Sequence, residues 1–469
     1  MNSIKKLANQ TVIYGLSSVV GRLLNYLLVP LYTRYFLPAE YGVVTEMYAY
    51  VAFLVVFLTY GMETAFFRFS QKNNIKQVYT TTLISISATA IIFIIIIFFN
   101  SFSIAQWMGY SDNKEYIEWF AIIVALDAVS SITFAKLRQQ ERAVRFSLIR
   151  ILNILCNMFF NIYFIVFQGF GIEYVFISNL ISSILTIVLL SPEMFVSKWT
   201  FDLKLWKKMI YYALPLLIAG LAGITNETID RILLKKLLPD QTTATLELGL
   251  YGAFYKLSII MILFIQTFRF AAEPFFFTQQ NKNNSKKIYA DVMRVFTAIV
   301  TTIFLFMVIF YDTIIRFVGE EFRDERGFHI VSILLLANIF LGLYYNLSIW
   351  YKLTDKTKYG AYISIFGAII TIVLNFILIP KIGIVGAAWA TLCCYFSMVL
   401  LSYFLGQKYY PVPYNLKIIC TYLMIMLTIY FIITHTNANS IVNTLYLLFY
   451  MLLIFLIEKT KKSVFSMPK

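Results

Sequence analysis

Apolar residues along this chain collect into blocks of about 20, the length that carries an α-helix across a hydrocarbon core at 1.5 Å per residue. They do not form the short alternating segments of a membrane barrel. The blocks predict spans at 11–31, 43–63, 79–99, 117–137, 146–167, 172–194, 209–230, 248–272, 290–311, 329–350, 359–379, 383–405, 415–434 and 440–457. The expected fold is an all-α membrane protein of about 14 transmembrane helices. Met1 to Gln10 carries Lys5 and Lys6 ahead of a first block that runs past 20 residues, contains Arg22 and lacks a small-x-small cleavage site. A retained first helix is expected there, not a cleaved signal.

Placing the 39 Lys and Arg residues on these spans sets the orientation. With the N-terminus inside, 25 fall on inner segments and 9 on outer loops, and Arg22, Arg150, Lys256, Arg269 and Arg294 lie within spans. That excess predicts both termini in the cytoplasm. The formal charge of +15 is then largely topology, and nucleic acid is not an expected partner. Composition agrees: 60% of residues are AVILMFWYC, 13% are charged, and the mean hydropathy is +0.75. With two His, no Gly-Lys step and connecting segments of about 20 residues at most, a Walker site or a soluble catalytic domain has no place. No catalytic residue, cofactor or metal site is expected. Cys156, Cys393, Cys394 and Cys420 all lie in apolar blocks and read as small core residues.

Sliding the two halves past each other brings out a repeat. Tyr41-Gly42 matches Tyr251-Gly252, and Glu63 with its aromatic run matches Glu273, Pro274 and Phe275. Lys136-Leu137 matches Lys352-Leu353, and Gly169-Phe170-Gly171-Ile172 matches Lys381-Ile382-Gly383-Ile384. Two six-helix lobes, 1–195 and 196–408, followed by two additional helices in 409–469, are expected. Repeats of like orientation place a substrate path between the lobes near the midplane.

Several strings resemble a known family. Gly15 to Tyr35 (GLSSVVGRLLNYLLVPLYTRY), Pro38 to Gly42 (PAEYG), Gly61 to Phe69 (GMETAFFRF), Leu137 to Phe146 (LRQQERAVRF), Asp230 to Leu234 (DRILL) and above all Pro380 to Thr391 (PKIGIVGAAWAT) carry the likeness. They resemble the oligosaccharide flippase branch of the multidrug/oligosaccharidyl-lipid/polysaccharide exporter superfamily. The resemblance implies two six-helix lobes around a V-shaped cavity and alternating access. It also implies movement of a polyprenyl-pyrophosphate-linked oligosaccharide from the cytoplasmic to the periplasmic leaflet.

Ionisable groups at membrane depth each cost upward of about 2.5 kcal/mol and should face a wet cavity or pair. Ser18, Arg22 and Asn25 form one polar stripe on the first helix. Arg22 is a candidate for the pyrophosphate, which a guanidinium meets with bidentate geometry, with Asn25 beside it. Its bland alternative is neutralisation by a carboxylate on a neighbouring helix. Lys256 and Arg269 are further candidates, although Glu273 stands one turn from Arg269 and could seal that helix end instead. Arg68 and Arg150 read as inner-surface anchors. Among carboxylates, Asp127, sharing a face with Ser130 and Ser131, Glu46, Glu227 and Asp230 are candidates for a coupling proton or sodium ion. Glu227 could instead pair with Arg231, and Glu46, near Tyr48 and Tyr50, could gate or bind sugar hydroxyls. The loop Gly319 to Phe328 reads as a self-paired cap.

Three functions compete. A flippase fits the basic groups within spans. A cation-coupled multidrug exporter of the same superfamily should favour carboxylates over Arg22, Lys256 and Arg269. A membrane-embedded polymerase or glycosyltransferase would need catalytic groups on a sizeable outer loop, which is missing. Glu46, where a cell-wall-precursor flippase would be expected to add positive charge, tilts the expectation to an O-antigen, capsule or exopolysaccharide repeat unit.

Overall fold

The computed structural model of the protein describes residues 21, 23–24, 26–195, 199–280, 282–436 and 440–460, and every regular element among them is a helix. Helices satisfy the backbone internally, which a lipid surrounding demands. The chain divides into two compact units, residues 1–235 with 241–249, and 236–240 with 250–469.

Unit 1 holds α1 (Leu28–Tyr35), α2 (Pro38–Thr59), α3 (Met62–Ser70), α4 (Ile75–Met108), α5 (Lys114–Gln139), α6 (Ala143–Asn161), α7 (Glu173–Met194) and nearly all of α8 (Leu203–Leu237). A π-helical stretch, Ile162–Phe167, continues α6. Helix α5 is the most enclosed of these spans. Its sequence explains why: Ala121, Ala125, Ala128, Ser130 and Ala135 are small and buried, so neighbouring helices approach closely. The first turns of α9 (Ala244–Leu257) also belong to this unit. There they cross α2 with almost no space between backbones. A β-carbon built on Gly42 would lie 1.9 Å from the Thr245 carbonyl oxygen, and one on Gly249 1.8 Å from that of Pro38.

Unit 2 continues through α10 (Ile259–Gln279), α11 (Ser285–Ile309), α12 (Gly327–Leu347), α13 (Ile349–Leu353), α14 (Lys358–Tyr409), α15 (Leu416–His435) and α16 (Ser440–Thr460). The 52 residues of α14 would measure about 78 Å if straight, more than twice a hydrocarbon core. Ile382 and Gly383 leave helical geometry, Gly383 at φ +57°. A β-carbon on Gly386 would touch the Leu378 backbone at 2.7 Å, and the Tyr359 and Tyr409 hydroxyls, near opposite ends of α14, are 2.7 Å apart. Thus α14 is a hairpin of two antiparallel spans, turning where the predicted spans 359–379 and 383–405 meet. The C-terminal pair packs on α11 around Arg294, which is 5% exposed and bonds Asp291 at 3.3 Å and Glu458 at 3.1 Å. Tyr422 donates to the same Glu458 carboxylate at 2.8 Å.

Twelve helices among the described residues are long and apolar enough to cross a membrane, which makes this a multi-pass membrane protein. Against the 14 predicted, α14 supplies two crossings and most of the span 11–31 lies outside the described residues. Helices overrun their predicted bounds at polar ends: α8 spans 203–237 where 209–230 was expected. An apolar window sees the part of a helix within hydrocarbon and misses the turns beyond it.

The glycine crossing gives a direct test. Gly42→Ala should lower stability by about 1–3 kcal/mol through overpacking against backbone that cannot move aside. Gly223→Ala, at a helical position with nothing within 4 Å, should leave stability unchanged or raise it. Thermal unfolding of the purified variants in detergent measures both, and equal melting points would refute the tight crossing.

Candidate functional site

A polar seam runs through unit 1 at membrane depth, built on one face of α6. Arg150, Asn153, Asn157 and Asn161 recur at three- and four-residue intervals, so they share that face. Asn153 donates to the Ser182 carbonyl and the Thr186 hydroxyl of α7, both at 2.9 Å. Asn161, fully buried where α6 passes into the π-helical stretch, donates to the Asn157 side chain and accepts the Tyr32 hydroxyl of α1 at 2.9 Å. Opposite this face, Asp127 of α5 accepts a hydrogen bond from Ser183 at 3.0 Å, and Asn179 of α7 donates to Tyr48 of α2 at 2.8 Å. The Arg150 guanidinium lies 4.2 Å over the Phe134 ring, within electrostatic range of Asp127. Arg150, read from sequence as an inner-surface anchor, therefore lines this seam. The α6 stripe was visible in the sequence as a polar period of 3.6 and was not singled out.

Glu46 belongs to a separate cluster. It lies two residues from Tyr48, about 200° around α2, and so faces away from Asp127. It is fully buried, and one of its oxygens accepts from Tyr110 at 2.5 Å and from Lys235 of α8 at 2.7 Å. Lys235 also donates to the Met108 carbonyl at 2.7 Å and sits 3.7 Å over the Tyr110 ring. The Lys235 side chain is 12% exposed, so this is a buried ion pair fastening α8 to α2 and to the turn after α4. Lys235 escaped sequence reading because it was assigned to a loop. Further back on α8, Arg231 donates to the Glu227 backbone carbonyl at 3.0 Å, and the Asp230 carboxylate accepts the Arg231 amide at 2.8 Å. Asp230 and Arg231, at and just past the end of the expected span 209–230, are buried and lie inside the helix, because α8 continues to Leu237. Glu227 is exposed.

In unit 2, Lys256 is half-buried near the end of α9. Arg269 of α10 donates to Glu273 at 3.0 Å and lies 4.6 Å over the Tyr345 ring, while Lys352 also bonds Glu273. In unit 1, Glu63 pairs with Arg138 in the last turn of α5. Glu193, also not foreseen, accepts Arg142 and Arg145 at 3.3 Å each. Arg68 lies 4.2 Å over the Tyr212 ring. In the loop before α12, Arg326 grips Asp324 with two side-chain bonds of 2.9 and 2.8 Å, which holds that carboxyl below its usual range, and Arg323 meets Glu320 at 3.3 Å. That loop is self-paired, as its mixed charges suggested. Arg22 and Asn25 lie outside the described residues.

The family described as polysaccharide biosynthesis protein matches residues 31–325, well over half the chain. The chain belongs to that family. Among solved structures, this family member resembles "Lipid II flippase MurJ, inward closed conformation", with a TM-score of 0.76 and 16% identity over 96% of this chain and 99% of that one. It also resembles an inward-facing multidrug resistance MATE family transporter of the MOP superfamily, with a TM-score of 0.68 and 13% identity over 85% of this chain and 94% of that one. At these identities the likeness is one of fold. An uncharacterized membrane protein of Methanocaldococcus jannaschii is 29% identical over 106 residues, so the chain matches 26% of that relative's length.

The Glu46 clamp predicts strong coupling. Lys235→Met, which strands a buried carboxylate, should cost about 3–5 kcal/mol. Adding Glu46→Gln should recover most of that loss. A double-mutant cycle on thermal unfolding reads the coupling, and additive effects would dismiss the clamp.

Proposed function

We propose that this protein is a flippase that moves polyprenyl-pyrophosphate-linked oligosaccharide repeat units, of O-antigen, capsule or exopolysaccharide, across the bacterial inner membrane. Movement proceeds by alternating access with both termini in the cytoplasm, coupled to a proton or sodium gradient. The observation that carries the proposal is the pairing of a polysaccharide biosynthesis family match with a transporter fold shared by a lipid II flippase. A glycan-building pathway that assembles its units on a lipid needs a protein that takes the polar, doubly charged head through hydrocarbon. A chain with spans of this composition offers little else for that pathway. The 25-to-9 distribution of basic residues supports the orientation.

Arg22, Asn25, Lys256 and Arg269 are the proposed substrate contacts, and Asp127, Glu46, Glu227 and Asp230 the proposed ion-coupling groups. Their surroundings rank them. Arg269 shares Glu273 with Lys352, and Glu46 is committed to Lys235 and Tyr110, so structural roles account for much of each. Asp127 is bonded only by a serine hydroxyl among the contacts described and is the better placed of the carboxylates to exchange a proton.

The test is reconstitution in liposomes with a fluorescent polyprenyl-pyrophosphate oligosaccharide, comparing wild type with Arg22→Ala under imposed proton or sodium gradients. Lipid movement that falls at least tenfold in the variant, and that responds to one of the two gradients, is the expected outcome. Gradient-driven efflux of a cationic dye with no lipid movement would overturn the proposal in favour of drug export.

A further inference from the structure

We propose that Arg150 is a phosphate-binding cation of unit 1 and that Asp127 is its proton-linked counter-charge, so that a lipid pyrophosphate and a proton bind at this polar seam together. The proposal rests on the flippase function above and adds to it a residue and a direction of linkage.

The first ground is that Arg150 is uncommitted. Arg269 is taken up by Glu273, and Arg294 by Asp291 and Glu458. Among the described residues Arg150 makes no direct ion pair; its guanidinium rests on Phe134 at 4.2 Å and on Phe146 at 5.8 Å. Stacking holds the plane of a guanidinium while leaving its N–H edge for an oxyanion. A second ground is its setting. Arg150 is exposed on the side of α6 opposite the exposed apolar residues Leu148, Leu152, Leu155 and Phe159. Asn153 and Asn157 continue the same face of α6, and amide donors beside a cation suit a phosphate or a sugar hydroxyl.

Asp127 sets the linkage. The groups that face it are Arg150 from α6, Tyr48 from α2 and the Ser183 hydroxyl from α7. From α4, which packs most extensively on α5, the ionisable residues are Lys76 in the first turn and Tyr79, hydrogen-bonded to Thr133; from α3, Glu63 is bound to Arg138, eleven residues further along α5. While Asp127 is ionised it offsets Arg150 and repels an incoming dianion. Once Asp127 holds a proton the Arg150 charge is uncompensated, and the seam attracts one. By reciprocity, a bound pyrophosphate raises the affinity of Asp127 for a proton. Affinity for the lipid therefore rises as pH falls.

The full-length protein in nanodiscs, titrated with a synthetic polyprenyl-pyrophosphate disaccharide from about pH 5.5 to 8, tests this. Both phosphates of such a diester stay ionised across the range, so any pH dependence belongs to the protein. Wild type should bind more tightly at the acid end. Arg150→Ala should weaken binding by about tenfold or more at every pH, with Arg150→Lys intermediate. Asp127→Asn should bind more tightly than wild type at pH 8 and lose the pH dependence, a gain that misfolding does not produce. Unchanged binding by Arg150→Ala, or an Asp127→Asn profile like that of wild type, would overturn the proposal and leave the flippase function standing. Failure of wild type to bind the lipid pyrophosphate at any pH would remove the flippase function itself.

Discussion

A charge inside hydrocarbon has no water to lean on, so it must find an opposite charge, a set of hydrogen bonds or an aqueous recess, and the helices here are placed accordingly. Four clusters show the first solution. Glu46 holds Lys235, Glu193 holds Arg142 and Arg145, Glu273 holds Arg269 and Lys352, and Arg294 holds Asp291 and Glu458. In three of them the partners stand on helices distant in sequence, so each pair fixes the register of one helix against another. Apolar packing alone gives little such register between helices in lipid, because a leucine gains almost nothing by meeting leucine instead of an acyl chain. Small residues supply the close approach, as on α5 and at the Gly42 and Gly249 crossing, and the buried charges specify which faces meet.

Each unit also ties helix ends together with a glutamate: Glu63 bonds Arg138 in the last turn of α5, and Glu273 bonds Lys352 of α13. A positive-φ glycine stands at a turn between two spans in each unit: Gly169 ahead of α7, and Gly383, where the two spans of α14 fold back on each other.

How much of this was legible in the sequence depended on the range of the signal. Helix existence, the turn at Pro380 to Gly383 and the self-paired Gly319 to Phe328 loop follow from composition and spacing within a few residues. So does the bond from Arg269 to Glu273, one turn apart. Lys352 joining that pair, and Lys235 reaching Glu46, involve residues far apart in the chain, and helical periodicity names a face without naming what the face meets. Arg150 was a different failure. Its place near the inner surface invited an anchoring role, while the asparagines at 153, 157 and 161, which put it on a continuous polar face of α6, signal that face only by their spacing.

That face bears on what a membrane protein of this composition can bind. A buried ion pair is self-sufficient: it is neutral overall, and a ligand that entered it would have to replace bonds already made at little gain. The paired arginines are therefore poor places to bind an anion, however close to the midplane they lie. A cation resting on an aromatic ring, with its counter-charge at a distance, keeps part of its desolvation cost unrecovered in the empty protein. Retaining such a group in a membrane-spanning helix disfavours the unloaded state relative to one in which an anion has arrived. The same reasoning applies with opposite sign to Asp127, whose one serine bond leaves its charge only partly met. Two incompletely satisfied groups of opposite sign, close enough to feel each other and too far apart to bond directly, form a site whose charge state can change, whereas the four clamps have theirs fixed.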